Sequence, residues 1–267
     1  MPYIHTNGIK MFYQEQGVGN PVLLIMGITA TGSVWEKHVA CWKDNFRCIM
    51  ADNRGIGLSD IPAGPYTSAQ MADDYAGLLD ALQIEKVKVV GCSMGSIIAQ
   101  QLAIRHPAKV QSCVLMCPWA RCDAMAKAIF QNIVNCKAGL KPGEFSLYIQ
   151  LLIFSKLYWD DPQNIATLEN DRAQAPLESN PQPLHGLQSQ AAACKSHNVM
   201  EELFKIQQPA LVIGGREDIF TPRWMAEEVA ERIPNATLHL YEGCGHAFHW
   251  EAIGDFNPRI KTWLSEH

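Results

Sequence analysis

Apolar runs of strand length punctuate the chain: VLLIMG at 22–27, FRCIMADN at 46–53, VKVVGCS at 87–93, QSCVLMC at 111–117, ALVIGG at 210–215 and TLHLYEG at 237–243. A strand with one face in water alternates apolar and polar residues, whereas a continuous apolar run suits a strand buried on both faces. Helix-like stretches lie between most of these runs. Met71, Tyr75, Leu78, Leu79 and Leu82 recur at helical spacing behind a Thr67/Ser68 cap. Thr221-Pro222 offers an N-cap and a first-turn proline for RWMAEEVAERI. Near the start, Asn7-Gly8 separates two alternating segments, the signature of a hairpin. Strands alternating with helices require right-handed crossovers and a mainly parallel sheet covered on both sides. The expected class is α/β.

One region breaks this rhythm. From Pro118 to about Gln207 no strand candidate occurs, only helical patterns (Met125 to Val134, Phe145 to Tyr158) and the polar stretch APLESNPQPLHG. A helical insertion between two strands of one sheet is most simply a cap over the carboxyl edge, where open α/β sheets bind ligands. The formal net charge of -5 argues against nucleic acid or an anionic membrane as partner. No signal peptide is visible at the start, and the apolar run at 147–159 is too interrupted to span a bilayer. Nine cysteines without metal-site or disulfide spacing read as reduced, mostly buried thiols, and hence a cytoplasmic protein.

The chemistry concentrates in G-C-S-M-G, residues 91–95, between an apolar strand and the helix-like SIIAQQLAIRH. This is the G-x-S-x-G nucleophile elbow. Side chains two residues either side of Ser93 would collide in so tight a turn, hence Gly91 and Gly95. The adjacent Cys92 is expected to pack away from the site. A serine needs a base, and the base an orienting acid, in the chain order serine, acid, histidine. Asp218 follows the strand ALVIGG and is favoured over its neighbour Glu217. The alternative origin of the acid, the end of the preceding strand, reads LMCPWARCD and offers nothing acidic before Asp123. His246, after a Gly-x-Gly loop in YEGCGHAFHWE, is the expected base; His249 is expected to be packed or solvent-facing. The expected oxyanion donors are the backbone N–H groups of Met94 and Ile28, with Gly27 allowing close approach.

GCSMG, REDIFTP, GHAFHWE and the turn DNRGIGLSD together resemble the α/β-hydrolase family over essentially the whole chain. The resemblance implies an eight-stranded, mostly parallel sheet, a core at 1–118 and 206–267, a helical cap at 119–205 inserted after the sixth strand, and the triad Ser93, Asp218 and His246. The details resemble the branch of enol-lactonases, carboxylesterases and carbon–carbon bond hydrolases. Met26 stands where many relatives carry histidine, and Ser96 where many carry glycine. The expected activity is hydrolysis of a small to medium, partly apolar ester or lactone through an acyl-enzyme. The alternatives are cleavage of a vinylogous diketone and service as a hydrolase-fold small-molecule receptor. The substrate is expected to be a small molecule, with no cofactor or metal implied. The expected cap lining is Trp119, Phe130, Phe145, Tyr148 and Phe154.

Overall fold

The computed structural model describes residues 2–267. Its sheet has eight strands in the order β1-β2-β4-β3-β5-β6-β7-β8. They are β1 Tyr3–Thr6, β2 Ile9–Gln16, β3 Asn20–Ile25, β4 Phe46–Ala51, β5 Val87–Cys92, β6 Val110–Met116, β7 Ala210–Gly215 and β8 Ala236–Tyr241. The β1/β2 and β2/β4 pairs are antiparallel. From β4 onward every neighbour is parallel.

The continuous apolar runs have a plain consequence. Successive side chains leave a strand on opposite faces, so the runs of the inner strands feed two cores, whereas TLHLYEG forms the edge strand β8 and is only partly buried, with Leu238 exposed. Leu23, Ile25, Val89, Leu115 and Val212 enter the core beneath helices α2 (Ser68–Ala81) and α3 (Met94–Arg105). Val22, Leu24, Val90, Val114 and Ile213 enter the core shared with Trp35, Trp42 and Phe256 on the opposite face. Every residue of β5 and β7 is buried, as central strands require. The Thr67 cap forms as expected, its hydroxyl accepting from the Gln70 N–H at 3.0 Å.

Between β6 and β7 the chain is helical: α4 Ala124–Gly139, α5 Pro142–Ile153, α6 Lys156–Asp160, α7 Pro162–Gln174 and α8 Leu184–Ser196. An isolated bridge, Arg121 to Asn198, joins the two ends of this insertion. Two expected local structures differ. The pattern from Phe145 to Tyr158 breaks at Phe154 and Ser155, because Ser155 caps α6 by accepting from the Tyr158 N–H at 3.2 Å. Thr221 caps nothing: α9 (Arg223–Arg232) begins after an extended Pro222, and the Thr221 hydroxyl turns to Asp218 instead. Two helices close the chain, α10 Phe248–Glu251 and α11 Ile253–Glu266. No helix among the described residues is long and apolar enough to cross a membrane.

Candidate active site

Ser93 occupies the turn between β5 and α3, with φ 55° and ψ −117°. That conformation is strained for a residue with a Cβ and costs about 1–3 kcal/mol. Its neighbours make it attainable. A Cβ on Gly91 would run into the Gly95 carbonyl oxygen, and one on Gly95 into that of Ile25. Ser96, where relatives often carry glycine, donates its hydroxyl to the Ser93 carbonyl at 2.7 Å and stitches the first turn of α3. The Ser93 side chain is buried and its Oγ makes no hydrogen bond within the protein. The expected serine–histidine hydrogen bond is therefore not formed here, although both residues line one cavity of about 250 Å³. Such contacts are often long in unliganded sites.

The acid–base link is formed. His246 Nδ1 lies 2.7 Å from Asp218 Oδ2, and both residues are buried. The other carboxylate oxygen, Oδ1, accepts from the backbone N–H groups of Phe220 (2.8 Å) and Thr221 (2.9 Å). The Thr221 hydroxyl donates to Oδ2 at 2.9 Å and lies 3.0 Å from His246 Nδ1. Phe220 packs its ring on the imidazole, with centroids 4.9 Å apart. Four donors on one carboxylate fix it in direction. Glu217, the rival acid, takes no part in this network and is exposed.

The loop carrying His246 is anchored to the helical insertion. The Glu251 carboxylate accepts from the N–H groups of Gly245 (3.0 Å) and Ser155 (3.1 Å) and from the Ser155 hydroxyl (2.5 Å). The Ala247 N–H donates to the Ile153 carbonyl at 2.8 Å. Burial raises the Glu251 carboxyl above its ordinary value, opposed by those donors.

Opposite Ser93 runs the loop after β3. Gly27 allows it to pass close: a Cβ there would sit 3.2 Å from that of Ser93. Asn53 supports this loop by donating to the Met26 carbonyl at 2.9 Å, while Tyr75 OH donates to Asn53 Oδ1 at 2.9 Å. Asp52 accepts from the Gly32 and Leu58 N–H groups at 2.8 and 2.9 Å. The DNRGIGLSD turn thus braces the loop that holds Ile28. Ile28 lines the cavity, and Met94 is the first residue of α3, where a backbone N–H has no helical partner.

The expected cap lining needs correction. Trp119 and Phe130 are sealed in the core, packed on each other (5.6 Å) with Phe130 against Phe220 (5.2 Å). Tyr148 turns outward, its hydroxyl accepting from Asn132 Nδ2 at 2.8 Å. Phe145 and Phe154 line a second, outer chamber of about 410 Å³ and not the one that holds Ser93. The roof over Ser93 is aliphatic, from Ile133, Ile149 and Ile153, with Val34, Phe220 and Trp250 at the sides. Large rings packed first as core, leaving the cavity to branched side chains. Ile149 and Ile153 are four residues apart on α5, so the helical period carries this signal, but nothing local says which face meets the serine. Thr29, Ile149, Ile153 and Trp250 line both spaces, which therefore adjoin.

Two further residues differ from expectation in placement or character. Cys92 lines the cavity wall, yet burial pushes its thiol up to about 12, which leaves it protonated and unreactive. His249 is buried as expected but also faces the cavity. Among the described residues one cluster, Cys117, Asp218 and His246, brings three potential metal-ligand atoms within 4.8 Å. Its atoms are already committed to each other, with the Cys117 thiol donating to the His246 carbonyl at 3.3 Å. Burial raises that thiol well above its ordinary value, so the arrangement suits a hydrogen-bond relay better than metal ligation.

The comparisons with known proteins agree with this fold. The family model described as alpha/beta hydrolase fold matches residues 20–253. The chain is 30% identical over 269 residues to a protein of Azorhizobium caulinodans that carries the name carbamate hydrolase RutD, covering 100% of this chain and 99% of that one. It is 32% identical to a protein of Mycobacterium tuberculosis that carries the name non-heme bromoperoxidase BpoC, covering 96% of this chain and 98% of the other. A solved thermophilic esterase from Thermogutta terrifontis superposes with TM-score 0.86 at 25% identity, covering 100% of this chain and 99% of the esterase. The chain is an enzyme of the α/β-hydrolase family.

Proposed function

We propose that the enzyme is a serine hydrolase of small, partly apolar carboxylic esters and lactones, with Ser93 as nucleophile, His246 as base and Asp218 as the orienting acid. One observation carries the reading: a serine in a strained elbow opens on the same cavity as an imidazole whose other nitrogen is tied to a buried carboxylate at 2.7 Å. Because Nδ1 is bound to Asp218, Nε2 is the nitrogen left to take the Ser93 proton as Oγ attacks the carbonyl carbon. The negative oxygen that forms is held by the Ile28 and Met94 N–H groups, the latter at a helix N-terminus. His246 then gives the proton to the leaving oxygen, and water repeats the sequence on the acyl-enzyme.

The insertion at 119–205 acts as a cap on a core of 1–118 and 206–267, supported by its three isoleucines over Ser93. The inner space of about 250 Å³, with mostly apolar walls, favours a short acyl chain. A carbamate carbonyl falls within the same chemistry, and the relative named for carbamate hydrolysis supports keeping it among the substrates. The nine free thiols, several pushed up to about 12 by burial, support residence in a reducing cytoplasm.

The test is steady-state hydrolysis of p-nitrophenyl acetate and butanoate, with fluorophosphonate labelling. Ser93→Ala is expected to lose at least about 10⁴-fold in kcat and all labelling. Undiminished turnover by that variant would retire the mechanism.

A further inference from the structure

His249 follows His246 by three residues on α10 and lines the inner cavity with Ser93. Its Nδ1 lies 3.0 Å from Nε2 of His38, and His38 Nδ1 lies 2.7 Å from Oδ1 of Asn257. The Asn257 amide orientation is set in turn by its Nδ2, which donates to Cys41 Sγ, while its backbone carbonyl accepts from Trp42 Nε1 at 3.0 Å and anchors the residue. The three side chains are buried, and His38 is boxed in by the rings of Trp42 (5.7 Å), Trp250 (4.6 Å) and Phe256 (5.2 Å).

The proton positions along this chain follow from elementary bookkeeping. An amide oxygen can only accept, so His38 Nδ1 bears the hydrogen. A neutral imidazole bears one hydrogen, so His38 Nε2 is a lone pair and must be given a hydrogen by His249 Nδ1. His249 Nε2 is then a lone pair as well, the one polar atom of the ring left over. Burial keeps both rings neutral at ordinary pH, holding His38 down at about 4 and His249 well below its usual value.

Burying two imidazoles is costly unless their polar atoms are used. Met26, Ile28, Ala30, Val34, Ile133, Ile149 and Ile153 make most of the cavity wall apolar, so an acceptor among them discriminates strongly. His249 lines the inner space, to which the proposed function assigns the acyl chain, and not the outer chamber. The part of the substrate facing it is therefore the acyl part.

We propose that His249 Nε2, fixed as an acceptor by the Asn257–His38 relay, selects substrates whose acyl group carries a hydroxyl or N–H donor. The proposal deepens the acyl-transfer reading and rests on it for the direction of the substrate. The test compares two esters with one leaving group, p-nitrophenyl 3-hydroxybutanoate and p-nitrophenyl 3-methylbutanoate, which differ by hydroxyl against methyl. With each kcat/KM divided by the ester's own hydroxide-catalysed rate, the hydroxy ester is expected to lead by at least about tenfold. His249→Phe is expected to bring that ratio to about one. A wild-type ratio near one, or a ratio untouched by His249→Phe, overturns the proposal. A second measurement needs no variant: long-range ¹H–¹⁵N spectra of the wild-type protein at neutral pH report which ring nitrogen bears the hydrogen. A bare Nε2 on His249 supports the relay, and an Nε2–H overturns it. Loss of turnover in the wild type with the expected tautomer would count against Ser93 chemistry while leaving the acceptor in place.

Discussion

Thr221 is the residue at which local reading and tertiary role part most sharply. Its hydroxyl sits 2.9 Å from Asp218 Oδ2 and 3.0 Å from His246 Nδ1, and so bridges the two groups of the proposed relay. Thr221→Val keeps the shape and the backbone donor to Oδ1 but removes the hydroxyl, leaving Oδ2 with the imidazole alone. We expect kcat to fall about tenfold with KM nearly unchanged, and Thr221→Ser to restore most of it. Steady-state kinetics on p-nitrophenyl butanoate, with melting curves to confirm the fold, check this. A drop in melting temperature without a change in kcat would assign the hydroxyl to packing. The proposed elbow, acid and base each carry a short signature in the sequence, in the turn or loop that follows a strand. Thr221 was misread as a helix cap because Thr-Pro has that local meaning. The Asp218 contact is local to its turn, but only the fold brings the imidazole of His246 beside the hydroxyl.

At the scale of elements, the connection that matters joins the insertion to the loop between β8 and α10. Glu251 on α10 holds Gly245 on one side and Ser155, at the break between α5 and α6, on the other. Removing it in Glu251→Ala leaves two backbone N–H groups and a hydroxyl without their acceptor. The His246 loop and the roof isoleucine Ile153 should then loosen together. Expected are a melting temperature lower by several degrees and faster amide hydrogen exchange at both 153–157 and 243–247. Exchange that rises in one segment alone would deny the coupling. The helical nature of the insertion was readable from its spacing and its lack of strand patterns. The break at Ser155 was not, because the apolar period runs straight through it and a distant carboxylate stabilises the interruption.

Across the whole molecule, three buried histidines make folding sensitive to acid. Burial holds His38 at about 4 and His197 at about 3, and pushes His249 well below its usual value. Unfolding returns each to about 6.5, so below that pH the unfolded chain binds more protons and stability falls with acidification. By pH 5.5 the loss is about 1.4 kcal/mol for each of His38 and His197, with His249 acting in the same direction. The buried carboxyls of Asp74 and Glu251 are raised and act in the opposite sense, so a histidine variant is needed beside the wild type to isolate the imidazole contribution between pH 7.5 and 5.5. The urea midpoint is expected to be lower at pH 5.5, and His197→Gln to show a smaller difference between the two. A wild-type difference left unchanged by His197→Gln would mean that the His197 ring is not held neutral in the folded protein. By itself the sequence determined the alternation of strand and helix and the two-faced burial of the central strands, and it supplied the candidates for the proposed triad. Each of these is written in neighbours only a few positions apart, as periodicity or as turn chemistry. The tertiary structure alone decided which side chains roof the serine, which acid clamps the histidine loop and which way a pair of imidazoles points its lone pairs. Those outcomes depend on contacts between residues as far apart as His38 and Asn257, and no local pattern encodes the direction of a side chain across such a distance.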